Sequence, residues 1–295
     1  MGEVFALVNA IGWSAGMVFA RRGQQRGETG ILGGLYCSIL VNTVINLVIF
    51  LVMLPAMKLP AVTAKGLLYL FLGGVFNSLI GRGMLFYIVS LLGASRAGVI
   101  KASTPMFALL CGIVLLHETI APVKWIGIAS VLFGVLLIAL EGSRKSSEGW
   151  GKSSLKGVLV GLLGSLFLAM GNMFRKLGVS AIPQSAFGAF IGSISAFLVL
   201  TVYFLLSDPN MVLKTLRRVD RDYALSGLST SIALNFLFAS LKLIPLSIAN
   251  SLTAVEPLST LVLSRIFLGK QEKLTVPLVL GAASTILGAV VLACL

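Results

Sequence analysis

Apolar residues in this chain of 295 fall into ten runs, at about 3–20, 31–53, 66–90, 94–116, 122–140, 157–174, 184–206, 223–241, 246–268 and 275–294. A helix rising ~1.5 Å per residue needs about 20 such residues to cross the ~30 Å hydrocarbon layer of a bilayer. Backbone groups in lipid must pair within the segment, so runs of this length become helices. At 57% hydrophobic and 11% charged, the chain lies far from soluble domains, of which about 25% is charged. The connections between runs are short, and none has the length of a separate soluble domain. The expected fold class is an all-α integral membrane protein with ten transmembrane helices. The first run is expected to belong to the fold rather than to a cleaved leader. No cation precedes it, and it matches the sixth run at an offset of 155: Gly16 with Gly171, Phe19 with Phe174, Arg21 with Lys176, Gly23 with Gly178.

A longer pattern also occurs twice. One copy runs Pro105, Glu118, Gly127, Gly134 and the other Pro257, Glu272, Gly281, Gly288. The glutamate-to-glycine and glycine-to-glycine spacings are identical, and only the proline-to-glutamate spacing differs, by two residues. The chain therefore divides into 1–140 and 157–295, joined by the polar segment 141–156, EGSRKSSEGWGKSSLK. Five spans per half is an odd number, so the second half enters the membrane upside down. Ten helices as two inverted five-helix repeats would place a substrate site near the midplane, where the halves meet.

The net charge of +13 comes from cations read as lying almost wholly at span ends and in loops, where they face anionic lipid; nucleic acid is not an expected partner. Loops after the odd-numbered spans hold 15 of the basic residues and the other loops six, which by the positive-inside rule puts both termini outside. Cys37, Cys111 and Cys294 sit in apolar runs without metal-ligand spacing. His117 is the single histidine. No catalytic group, metal, cofactor or obligate protein partner is expected; the partners are a small-molecule substrate and the lipid bilayer.

Three charged side chains are read as deep in spans: Arg82, Lys101 and Glu256. Each costs at least ~2.5–3.5 kcal/mol at the bilayer centre, so such groups face a cavity or a partner. At ~1.5 Å per residue, Lys101 and Arg82 lie roughly 10 and 14 Å below one membrane face and Glu256 roughly 16 Å from the other, which lets all three converge. A carboxylate so placed suits proton exchange or the grip of an amine; a static ion pair with Lys101 or Arg82 is the plainer alternative. Residues three apart share a helical face, giving the polar stripes Lys101/Thr104/Pro105 and Asn250/Thr253/Glu256/Pro257. Pro105 and Pro257 each deprive a helix of one backbone hydrogen bond. Asn77, Asn172 and Asn235 are uncharged candidates for the cavity, or for hydrogen bonds between helices. Trp13, Phe19, Phe86 and Tyr87 are aromatic ones, whose commoner role is packing. Two deep cations against one carboxylate favour a substrate with an anionic group, an amino acid included.

The stretches TPMFALLCGIVLLHETIAPVKWIGIASVLFG and EPLSTLVLSRIFLGKQEKLTVPLVLGAASTILG resemble the EamA family of the drug/metabolite transporter superfamily. The resemblance covers nearly the whole chain and makes 1–140 and 157–295 its two repeats. It implies a secondary transporter, often an exporter of small metabolites from a cell or inner membrane. It also implies cytoplasmic termini, opposite to the charge distribution, so orientation stays open. Lys101 and Glu256 lie outside the recurring pattern and rest on their burial. A non-transporting scaffold or receptor is the alternative; a membrane-embedded enzyme is disfavoured by the lack of clustered catalytic groups.

Overall fold

The structure, a computed structural model, describes residues 1–27, 30–56, 62–116, 122–144, 150–244, 252–253, 255–269 and 275–294. Among them there is no strand. In chain order the helices are α1 (Gly2–Arg26), α2 (Ile31–Met53), α3 (Ala64–Gly73), α4 (Arg82–Leu92), α5 (Ala94–Lys101), α6 (Thr104–Leu116) and α7 (Val123–Arg144). There follow α8 (Trp150–Ala181), α9 (Ser185–Ser207), α10 (Pro209–Arg217), α11 (Arg221–Leu243), α12 (Glu256–Phe267) and α13 (Val276–Cys294). A π-helical segment, Gly74–Gly81, joins α3 to α4 so that 64–92 forms one span.

Among the described residues, six segments are long and apolar enough to cross a bilayer: α1, α2, 64–92, 155–181 within α8, α9 and α11. The runs at 94–116, 122–140, 246–268 and 275–294 fall on shorter apolar helices or partly outside the described residues. The fourth run shows one cause. Pro105 has no N–H to return to the carbonyl of Lys101, and the helix is interrupted there into α5 and α6. The Thr104 hydroxyl donates to that freed carbonyl at 2.6 Å. Helix also enters the polar segment 141–156 from both sides, since α7 ends at Arg144 and α8 starts at Trp150. Where a loop was expected after α9, the short helix α10 starts on Pro209 and packs Met211 and Val212 onto a cluster that includes Leu200 and Phe204.

The first helix of each half lies along the third span of the other: α1 packs on α11, and α8 on 64–92. Matched cations tie each of these first helices, instead, to the third span of its own half. Arg21 donates to the carbonyls of Val89 and Ser90 at the end of α4, at 3.1 and 2.9 Å. Its counterpart Lys176 donates to Leu241 O near the end of α11, at 3.0 Å. A cation at a helix C-terminus satisfies carbonyls that have no partner within the helix. Gly27, at φ 70°, closes α1, and Gly93, at φ 90°, turns the chain between α4 and α5; both conformations suit a residue without Cβ.

The glycines of the doubled pattern form a packing seam. Helices α7 and α13 run antiparallel so closely that a Cβ on Gly134 would stand 2.6 Å from the Gly281 carbonyl oxygen. One on Gly281 would stand 2.9 Å from that of Gly134. Gly127 and Gly288 repeat the relation at 2.9 and 2.6 Å. Between these pairs, Ser130 and Ser284 each donate to the other's carbonyl at 2.8 Å. The seven-residue spacing is thus two turns of one face meeting its own counterpart.

Asp222, fully buried at the start of α11, holds the end of α1 through Arg22 at 3.4 Å and Arg26 at 3.0 Å. Asp222→Asn keeps the shape and removes the charge. Because both arginines are part-exposed, we expect a loss of only about 1–2 kcal/mol, read as a lower midpoint of thermal unfolding in detergent. An unchanged midpoint would assign the α1–α11 junction to packing alone.

Candidate functional site

Lys101 closes α5 and Glu256 opens α12; each is almost wholly buried, and their side chains form an ion pair between helices of the two halves. Neither charge is tolerable alone at this depth, and each removes much of the other's cost. The backbone around Glu256 is also pinned. Its carbonyl accepts from Ser14 Oγ of α1 at 3.0 Å and from Thr260 Oγ1 at 2.8 Å. Pro257, expected to kink a continuous helix, instead occupies the first turn of α12, where a missing N–H costs nothing.

A cavity of about 40 Å³ lies beside the pair, room for about three waters. Of the residues singled out in the sequence, Trp13, Asn77, Lys101, Thr104, Pro105, Asn172, Thr253 and Glu256 line it. Pro257 is buried but does not line it. Asn250 lies outside the described residues, as do His117, Glu118 and Glu272.

One further polar side chain joins the wall, Asn9, which stands with Trp13 on α1, while Asn172 belongs to α8. Asn9 was not anticipated; its signal is the four-residue spacing to Trp13, which puts both on one face. The Trp13 ring centre lies 4.7 Å from Lys101 Nζ and 5.9 Å from the Arg82 guanidinium, so one indole contacts both cations. Asn77 donates to Leu168 O at 3.1 Å and to Asn172 Oδ1 at 2.9 Å. The Oδ1 atoms of Asn9 and Asn77 are buried without a hydrogen-bond partner, a donor-seeking lining. Asn77 sits on the π-helical segment, a geometry that recurs at functional sites because it re-aims side chains.

Arg82 does not join the Lys101–Glu256 pair. It is 2% exposed rather than reaching out to lipid headgroups, donates to Ser38 Oγ of α2 and lies 5.5 Å from the Phe86 ring centre. One deep cation was missed. Composition ends the sixth apolar run at 174, which places Arg175 among the loop cations, but α8 continues to Ala181 and the side chain is fully buried. It donates to Ser78 Oγ at 2.8 Å and to Asn172 Oδ1 at 3.4 Å. The signal available in the sequence was its three-residue spacing from Asn172.

Asn235 belongs elsewhere. It donates to Asn46 Oδ1 at 2.6 Å, within an amide ladder that continues through Asn42 to Ser231 and joins α2 to α11. Beyond it, a cavity of about 750 Å³ opens among the end of α2, the start of α9 and the end of α11. At the other end of α2 and α9, Tyr36 stacks on Phe197 and meets Phe204 edge-on, in a cluster with Phe86 and Tyr223. No group of three metal-ligating side chains occurs among the described residues.

The EamA-like transporter family model matches residues 1–140 and, a second time, 155–294. The chain belongs to the EamA-like transporter family. Family membership, with the apolar helices, makes it an integral multi-pass membrane protein and a transporter of the drug/metabolite type acting on small molecules, not an enzyme. No curated protein matches the chain. The crystal structure of another protein superimposes on it with a TM-score of 0.59, over 96% of this chain and 95% of the other, at 14% identity. A likeness at that identity speaks for the fold alone.

Proposed function

We propose that this EamA-like protein is a secondary transporter that exports a small polar or amphipathic metabolite, such as an amino acid or organic anion, from the cell across its plasma or inner membrane. It is built as ten transmembrane helices in two inverted five-helix units, 1–140 and 157–295, with 141–156 as the polar linker. Substrate binds between the units, and the units rock to expose the cavity to each side in turn. The observation that carries this is the Lys101–Glu256 pair beside a polar cavity, with one partner from each unit. A pair whose halves sit on different bodies can be broken by substrate or by a proton, and so can link binding to movement.

The two ends of the molecule support the same cycle. The 750 Å³ cavity lies at one end of α2 and α9, and the aromatic cluster closes the other end. Of the polar side chains, Glu256 is the proton-exchanging group, Lys101 and Arg82 draw the substrate's anionic part, and Asn77, Thr104, Asn250 and Thr253 provide hydrogen bonds. Pro105 and Pro257 keep the helices discontinuous beside the cavity.

The test is flux into proteoliposomes of purified protein under an imposed pH gradient, with labelled amino acids and organic anions as probes. Wild type is expected to accumulate at least one probe in response to the gradient. Glu256→Gln is expected to lose that response while still exchanging substrate at equal pH. Gradient-driven flux that survives Glu256→Gln would remove Glu256 as the coupling group, and no flux of any probe would sink the transporter proposal.

A further inference from the structure

Charge does not balance around the central cavity. Arg82, Arg175 and Lys101 are three buried cations, and Glu256 is the single carboxylate near them among the described residues. Glu256 is spent on Lys101. The remaining carboxylates whose side chains are described are committed elsewhere or lie at the rim: Asp222 holds Arg22 and Arg26, Asp220 caps α11, and Glu3 and Asp208 are exposed. Both guanidiniums are left with neutral partners, Ser38 for Arg82 and Ser78 with Asn172 for Arg175, and the Nε of each has no partner at all.

Arginine does not escape this cost by losing its proton, as a buried lysine can. Two unneutralised guanidiniums in a low-dielectric interior are costly, and a fold that needed only packing would use neutral side chains there. Both stand one side chain behind the cavity wall. Arg82 contacts Trp13, and Arg175 donates to Asn172; Trp13 and Asn172 both line the cavity. In a water-poor interior a charge acts strongly across that distance.

We propose that Arg82 and Arg175 select an anionic substrate: the molecule carried through the cavity bears a carboxylate or phosphate group whose negative charge these two guanidiniums balance. Arginine suits the role because it keeps its charge at a depth where a buried lysine can shed it, and so acts on the anion through the wall. A doubly charged anion neutralises the cluster completely, which favours dicarboxylates and phosphate esters over zwitterions. This rests on the transporter proposal and narrows its substrate class.

The experiment is a thermal-unfolding titration of detergent-purified wild type, Arg82→Gln, Arg175→Gln and Arg175→Lys with succinate, inorganic phosphate, alanine and putrescine, run beside flux of the same probes in proteoliposomes. A ligand that binds the folded state raises its unfolding temperature with a saturable dependence on concentration. Succinate or phosphate is expected to stabilise wild type, and comparison of the two arms separates carboxylate from phosphate recognition. The half-saturating concentration should rise by about tenfold or more in each glutamine variant and by less in Arg175→Lys, whose ammonium can still carry the charge. Stabilisation by putrescine or alanine alone, anion titrations unchanged in the glutamine variants, or no response to any probe would each overturn the inference. Anion binding that needs the arginines, without flux of any probe, would keep the anion site and overturn the proposed export. Flux of putrescine indifferent to the arginines would do the reverse.

Discussion

Glu256→Gln is expected to be among the most damaging single substitutions in this protein. It leaves the Lys101 ammonium buried without its carboxylate. Removing one member of a buried pair costs about 3–5 kcal/mol, because the survivor's desolvation is no longer offset. Thermal unfolding of the purified variant measures this directly. The informative companion is Lys101→Met/Glu256→Gln, in which both charges are gone. Its stability should return to within about 1 kcal/mol of wild type, since a buried pair is often worth little more than neutral side chains of similar volume. Its gradient-driven flux should stay absent. A double variant that recovered stability and flux together would show a pair serving structure alone. A double variant as unstable as Glu256→Gln would show that Glu256 holds the site through contacts other than Lys101.

Gly134→Val should be comparably harmful for a reason unrelated to charge. Its Cβ would lie 2.6 Å from the Gly281 carbonyl oxygen and 3.1 Å from the Thr285 backbone nitrogen. Backbone cannot swing aside as a side chain can, so α7 and α13 must separate. Overpacking typically costs about 1–3 kcal/mol, and a helix pair that must part will lie at or above the top of that range. Separation also breaks the reciprocal Ser130–Ser284 hydrogen bonds. The expected result is little monodisperse protein after detergent extraction, with Gly281→Val failing in the same way. Gly30→Ala is the control, since a Cβ there meets nothing within 4 Å. Normal yield and stability for Gly134→Val would mean that the seam is looser than its geometry.

Much of this was legible because the bilayer allows so few solutions. Length and apolarity required helices, and the doubled Pro…Glu…Gly-x6-Gly pattern announced two related halves and a family. Lys101, Thr104, Pro105, Asn77, Thr253 and Glu256 were nameable because a polar or helix-breaking residue inside an apolar run has few bland explanations. Arg175 escaped because hydropathy loses its meaning at the end of a run: a helix that continues seven residues past Phe174 looks, from composition, like the start of a loop. Asn9 escaped notice because helical periodicity says which residues share a face, not which neighbour that face meets.

The sequence by itself determined the helical class, the repeat, the family and the cost carried by Arg82, Lys101 and Glu256, since these follow from local composition and from the solvent that surrounds the chain. Only the tertiary structure decided how those charges are shared. It gave Glu256 to Lys101, set Arg82 behind Trp13 and Arg175 behind Asn172, and turned the seven-spaced glycines into one antiparallel seam. Pairing depends on which helix faces cross between halves more than a hundred residues apart, and packing of whole surfaces sets that choice, beyond the reach of any local pattern.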